Sequence, residues 1–226
     1  MNKQLGRCSA FPYGYSWGSE KKMNQREINR NSYEETAGQW AEYRRNTVTG
    51  KCIIEFESML KRHSAVLDVG CGTGYPIAAY FSFRGHKVTG LDISDSMIAE
   101  AKALDLPDAD FIVSDMMDYL PDHEFDAVIA FDSLWYVEEE RQEELFHRLA
   151  GCLKEGGYLL FTHGLRKGTV NGEMFSSQFI YSSPGRETLK EILHKANLTV
   201  LQWHENYAEE SIGDRELLAI CSKNGI

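Results

Sequence analysis

The chain has 226 residues, with 34 Asp and Glu against 24 Lys and Arg and a formal net charge of −10; that is length for one α/β domain with a sizeable core. The acidic balance excludes general nucleic-acid binding, which needs a basic footprint. No apolar run approaches the roughly 20 residues of a membrane span, and Arg7 and residues 14–20 interrupt any leader-like apolar core.

The five cysteines, Cys8, Cys52, Cys71, Cys152 and Cys221, are odd in number, widely spaced and free of C-x-x-C. They read as free thiols in a reducing compartment, the cytoplasm, rather than a disulfide frame. The histidines are scattered without a ligand pair, so no metal centre is expected.

Residues 1–24 are rich in Gly, Ser and aromatics, notably Phe11 to Gly18, without period two or 3.6. They read as a flexible arm; the alternative is an aromatic segment that packs on a partner subunit, as in a homodimer. From Gln25 to Asn46 the spacing of Ile28, Tyr33, Ala37, Trp40, Ala41 and Tyr43 predicts a helix, and Ile53, Ile54, Phe56, Met59 and Leu60 predict a second.

Ala65 to Val69 is an apolar run of buried-strand type, followed at once by Gly70, Gly72 and Gly74. Glycine there permits positive φ and leaves no Cβ between backbone and ligand. A helix over about 75–84 follows, with Pro76 in its first turn. Strand, glycine bend and helix are the grammar of a nucleotide-type site at the carboxyl edge of a parallel sheet. Lys87 to Ile93 predicts a second strand ending in Asp92, whose two carboxylate oxygens match the two hydroxyls of a ribose. Ser94 suits the N-cap of the next helix, which leaves Asp92 free for that work.

A third strand is expected over Ala109–Val113 and a fourth over Glu124–Asp132, apolar enough to be buried on both faces. The loop Ser133 to Val137 then crosses the expected pocket. A helix over 138–152 with the stripe Leu145, Phe146, Leu149 leads through Gly156 and Gly157 to a fifth strand, Tyr158–His163. Residues 165–182 read as a long irregular insertion, and Ser183-Pro184 opens a helix to about 196. Leu198–Trp203 and Glu216–Cys221 read as a closing hairpin.

The glycine spacing separates two cofactor classes. A dinucleotide fingerprint, G-x-G-x-x-G, would place its third glycine at position 75, which is Tyr. The run Leu67-Asp68-Val69-Gly70-Cys71-Gly72-Thr73-Gly74 instead resembles the first motif of the class I S-adenosylmethionine-dependent methyltransferases. Phe125-Asp126-Ala127-Val128 and Leu153-Lys154-Glu155-Gly156-Gly157 are similar to later segments of that family. The resemblance covers about residues 30–222.

That resemblance implies a Rossmann-like doubly wound α/β sheet of seven strands, the last antiparallel, with an N-terminal helical lid. It implies one methyltransferase domain over 25–226: a lid at 25–62, a cofactor-binding core at 63–164, and a substrate-side insertion, helix and hairpin at 165–226. S-adenosylmethionine is the implied cofactor. Gly70, Cys71, Gly72, Thr73 and Gly74 would bring backbone amides to its carboxylate, Asp68 would hold its ammonium, and Asp92 with Ile93 its ribose. Asp115 would bond the adenine amino group, with the Met116 amide and Met97 beside the ring. Phe131, Trp135 and Tyr136 would contact the adenine or sulfonium or shape the acceptor pocket. Tyr33 and Trp40 stand where the family's lid reads Tyr-x-x-x-Ala-x-x-Tyr, with Trp40 in place of the more usual Tyr.

Alignment of a nucleophile with the sulfur–methyl bond is the main catalytic demand. Should the acceptor need a base, Asp132 and His163 project from strand ends. A small-molecule acceptor fits the acidic chain; the alternatives are RNA or protein methylation on the same fold, or non-catalytic S-adenosylmethionine binding.

Overall fold

The computed structural model describes residues 25–225; the expected arm at 1–24 lies outside them. Six helices, α1 (Gln25–Arg44), α2 (Lys51–Ser58), α3 (Ile77–Phe83), α4 (Asp95–Ala103), α5 (Gln142–Cys152) and α6 (Arg186–Lys195), alternate with nine strands. The strands are β1 (Ala65–Val69), β2 (Lys87–Asp92), β3 (Ala109–Val113), β4 (Phe125–Ala130), β5 (Leu153–His163), β6 (Gly168–Met174), β7 (Ser177–Ser183), β8 (Leu198–Glu209) and β9 (Gly213–Lys223).

Seven strands form one sheet in the order β3-β2-β1-β4-β5-β9-β8. β1 to β5 are parallel, while β9 runs antiparallel to β5 and β8 alike. The chain walks outward from β1 to β3, then returns to place β4 on the other flank of β1. That reversal opens a crevice beyond the carboxyl ends of β1 and β4.

Strand pleat sorts the core into two layers. Leu67, Val69, Val128, Ala130, Leu159 and Phe161 pack with Leu145, Phe146, Leu149, Leu189 and Leu193 of α5 and α6. The intervening Val66, Ala127, Ile129 and Leu160 pack on the opposite face with Ile53, Phe56, Phe81 and Ile98 of α2, α3 and α4.

The expected elements are present, several with different bounds: α5 begins at Gln142 rather than 138, and the closing strands β8 and β9 are longer than expected. β5 begins at Leu153, through the glycine pair rather than after it. The helix expected from Ser183-Pro184 starts at Arg186; the Ser183 hydroxyl instead accepts from the Gly185 N–H at 3.2 Å. The insertion at 165–182 is not irregular: β6 and β7 pair as a separate two-stranded antiparallel sheet, turning at Phe175 and Ser176, both with positive φ. Among the described residues no helix is long and apolar enough to cross a membrane.

Candidate active site

β1 delivers the chain to Gly70, which turns with φ +75°. The Gly70 and Cys71 N–H groups both donate to Leu91 O at 2.8 Å, tying the bend to β2. Ser133 Oγ donates to Val69 O at 2.7 Å from the other flank, and its Cβ occupies the space that a Cβ on Gly70 would need. Gly74, also at positive φ, plays a different part. A Cβ there would come within 3.1 Å of the Phe111 ring and 3.2 Å of Ala101. It admits helix–strand packing behind the bend and is not among the residues that line the cleft.

The end of β2 is fixed just as tightly. Asp92 Oδ2 accepts from the Gly72 N–H at 2.9 Å, and Oδ1 from the Ser94 N–H at 3.0 Å. Ser94 caps α4 by accepting from Met97 N at 3.1 Å, as its sequence position suggests. Each Asp92 oxygen has capacity for one further hydrogen bond, and Asp92 lines the cleft. The amides of Gly70, Cys71, Gly72 and Gly74 are all used within the protein. Among the described residues the amides of this bend without a partner are those of Thr73 and Tyr75.

Asp68 is the least satisfied group. It is 3% exposed, lines the cleft, and its carboxylate has no hydrogen bond among the described residues. Burial, reinforced by the nearby Asp92 charge, pushes its carboxyl up to about 7. Burial also raises Asp92, to about 6, against the opposing pull of the Ser94 and Gly72 amides. Two acids raised together without a cation between them create a demand for positive charge.

These groups face one cleft of about 480 Å³, in the range of small-molecule sites. Cys71, Ile93, Met97 and Met116 line it beside the acids, and Phe131, Trp135 and Tyr136 line its far wall. Asp115 also faces it, although its carboxylate is already shared: Oδ1 accepts from Met117 N at 2.6 Å and Oδ2 pairs with Arg26. Tyr33 and Trp40 of α1 close the top, and the Tyr33 hydroxyl donates to that of Tyr136. Burial, reinforced by the neighbouring Tyr136 and Tyr181 phenols, raises the Tyr33 phenol well above its ordinary range.

The two expected bases do not stand ready. His163 is fully buried, stacks on Phe146 and does not line the cleft. Its Nε2 meets Gln142 Oε1 at 3.1 Å, and burial lowers its pKa to about 4. Period two explains this: His163 shares its strand face with Leu159 and Phe161 and so points into the α5 layer. Asp132 does line the cleft, but Arg215 of β9 clasps it with Nε at 2.6 Å and Nη2 at 2.5 Å, and Thr162 Oγ1 adds a third donor at 3.0 Å. Both oxygens are occupied, so its place is that of an anchor between β4 and β9.

Sequence reasoning missed Arg215, and it missed how α1 is fastened. Glu34 accepts from Asp95 N at 2.6 Å and Ser96 N at 3.0 Å at the start of α4. Asn29 exchanges two hydrogen bonds with the Ile180 backbone, at 2.9 and 2.8 Å.

Comparison with known proteins agrees with this geometry. Residues 66–157 match the model of a family described as a methyltransferase domain. The chain is 42% identical over 101 residues to a Geobacillus sp. (strain WCH70) protein named for methyltransferase activity, covering 42% of this chain and only 40% of that protein. It is 29% identical over 171 residues to trans-aconitate 2-methyltransferase of Shigella dysenteriae serotype 1 (strain Sd197), covering 71% of this chain and 67% of the relative. Its fold is that of Burkholderia thailandensis 1,6-didemethyltoxoflavin-N1-methyltransferase, solved with its acceptor and S-adenosylhomocysteine (TM-score 0.70, 16% identity, 92% of this chain and 94% of that one). With the acid-bearing strand ends and the G-x-G-x-G bend in place, the family match over residues 66–157 and these relatives together support a class I S-adenosylmethionine-dependent methyltransferase.

Proposed function

We propose that the chain binds S-adenosylmethionine in this cleft and transfers its methyl group to a small-molecule acceptor. The observation that carries the reading is the pair Asp68 and Asp92. One is a buried carboxylate lacking a partner, the other a carboxylate with a lone pair left on each oxygen. An amino-acid ammonium answers the first and a ribose diol the second. The donor set therefore fits this cofactor and leaves the free Thr73 and Tyr75 amides for its carboxylate.

When bound, the cofactor supplies an electrophilic methyl carbon on a sulfonium and leaves as the neutral thioether. The protein's part is to hold and to orient. Asp68 fixes the amino-acid end and Asp92 the sugar. Phe131, Trp135 and Tyr136 wall the far side, and Tyr33 and Trp40 keep water out from above. With both oxygens of Asp132 engaged and His163 sealed in the core, alignment supplies the catalysis and no side chain is assigned as base.

Titration calorimetry tests the cofactor. S-adenosylmethionine and S-adenosylhomocysteine should bind and NAD should not; binding of NAD alone overturns the reading.

The raised acids add a pH signature. Below about pH 7 the free Asp68 carboxyl holds a proton, and an ammonium placed beside it drives that proton off. Affinity for S-adenosylhomocysteine should therefore rise with pH, about tenfold between pH 6 and pH 8, and level off above. Calorimetry in buffers of different ionisation enthalpy counts the released proton. Asp68→Asn should flatten the profile; a steep profile in that variant assigns the proton elsewhere.

A further inference from the structure

The cleft is also lined by a cation to which the cofactor reading gives no role. Four arginines line the cleft, Arg26, Arg44, Arg141 and Arg215. Three are committed: Arg26 to Asp115 and Asp118, Arg141 to Glu144, Arg215 to Asp132. Arg44 pairs with no carboxylate among the described residues, in a chain whose formal charge is −10.

Arg44 is nonetheless held in place. Its guanidinium lies 5.4 Å from the Trp40 ring centroid and 6.0 Å from that of Tyr43. Trp40 in turn meets Phe175, at the tip of the β6–β7 hairpin, with ring centroids 5.1 Å apart and planes at 85°. A guanidinium held over aromatic rings by cation–π attraction keeps N–H groups available on its edge. Such a fork, with no carboxylate partner among the described residues, is suited to a bidentate oxyanion. The position could be explained by the carboxyl end of α1, where a basic residue is favourable. Arg45, next in sequence, is exposed and does not line the cleft, and it serves that end equally well.

We propose that the acceptor is a flat organic anion whose carboxylate, or equivalent oxyanion, docks on the edge of Arg44 while its body lies among Trp40, Tyr43 and Phe175. The proposal rests on the methyltransferase reading for the site and names the acceptor class within it. Glu173 and Glu138 also line the cleft, and they disfavour a second negative group near their positions, so a single well-placed anion fits better than a polyanion.

The test uses the full chain saturated with S-adenosylhomocysteine and titrated with trans-cinnamate, 2-naphthoate and their primary amides, followed by ligand-observed NMR. Each acid should bind the wild-type protein about tenfold more tightly than its amide, the scale of one charge-assisted pair. Arg44→Gln should bring the acid to the level of the amide, and Arg44→Lys should keep part of the preference. Equal binding of acid and amide to the wild type, no binding of either acid, or a preference that survives Arg44→Gln overturns the proposal. The wild-type comparison stands even if a variant folds poorly. Failure of S-adenosylhomocysteine itself to bind breaks the methyltransferase reading instead; cofactor binding without acid preference breaks this proposal alone.

Discussion

Replacing Asp92 with alanine is expected to weaken S-adenosylhomocysteine binding by about 1–3 kcal/mol, or roughly five- to 150-fold, the scale of hydrogen bonds to a charged group. Two effects add at this position. The variant loses the acceptor of the sugar hydroxyls, and it releases the Gly72 and Ser94 N–H groups, at 2.9 and 3.0 Å from the carboxylate in the intact protein. The bend and the start of α4 are then no longer tied to one another. Asp92→Asn separates the two, because its amide oxygen can retain one of these bonds while the charge is gone. Calorimetry on both variants is the check. Wild-type affinity in Asp92→Ala would remove this residue from the site, and with it half of the argument for the cofactor.

Gly70→Ala should destabilise the fold by about 2–5 kcal/mol. The positive φ accounts for about 1–2 kcal/mol. The new methyl group also overlaps Ser133 Cβ, and overpacking of that kind costs about 1–3 kcal/mol. Ser133 cannot retreat easily, since its hydroxyl is bonded to Val69 O. Gly72→Ala is the control: φ is +54° and nothing lies within 4 Å of the added Cβ, so only the backbone strain of about 1–2 kcal/mol applies. Urea unfolding of the pair measures the difference. Equal midpoints would mean that the overlap is relieved at no cost.

The central sheet was readable because its signals are local. Val66, Leu67 and Val69 of β1 and Ala127 to Ala130 of β4 supply apolar side chains to both faces, and an acid closing β2 next to an N-cap serine is a short pattern. Much of the site depends on contacts outside that range. Gly74 sits in the motif but packs on Phe111, a contact made across 37 residues of chain. His163 could have been placed correctly, since counting in twos from Leu159 already turns it inward. Arg215 carries no local signal, because its partner Asp132 is 83 residues away. The β6–β7 hairpin was hidden by its turn. Phe175 and Ser176 both adopt positive φ, where glycine or asparagine is usual, while Gly168 and Gly172 suggested loop.

The underside of α1 is made of Gln25, Asn29, Ser32, Thr36 and Ala37, side chains that water serves almost as well as protein does. When a helix seated on such residues lifts, the bonds it surrenders to the hairpin or to α4 are replaced by bonds to solvent, and the hydrophobic cost is confined to the contacts of Tyr33 with Phe179 and of Trp40 with Phe175. Loading and discharge can thus proceed by raising this one segment while the sheet beneath stays assembled, the tightness of the seal being set by those few aromatic contacts together with hydrogen-bond exchange.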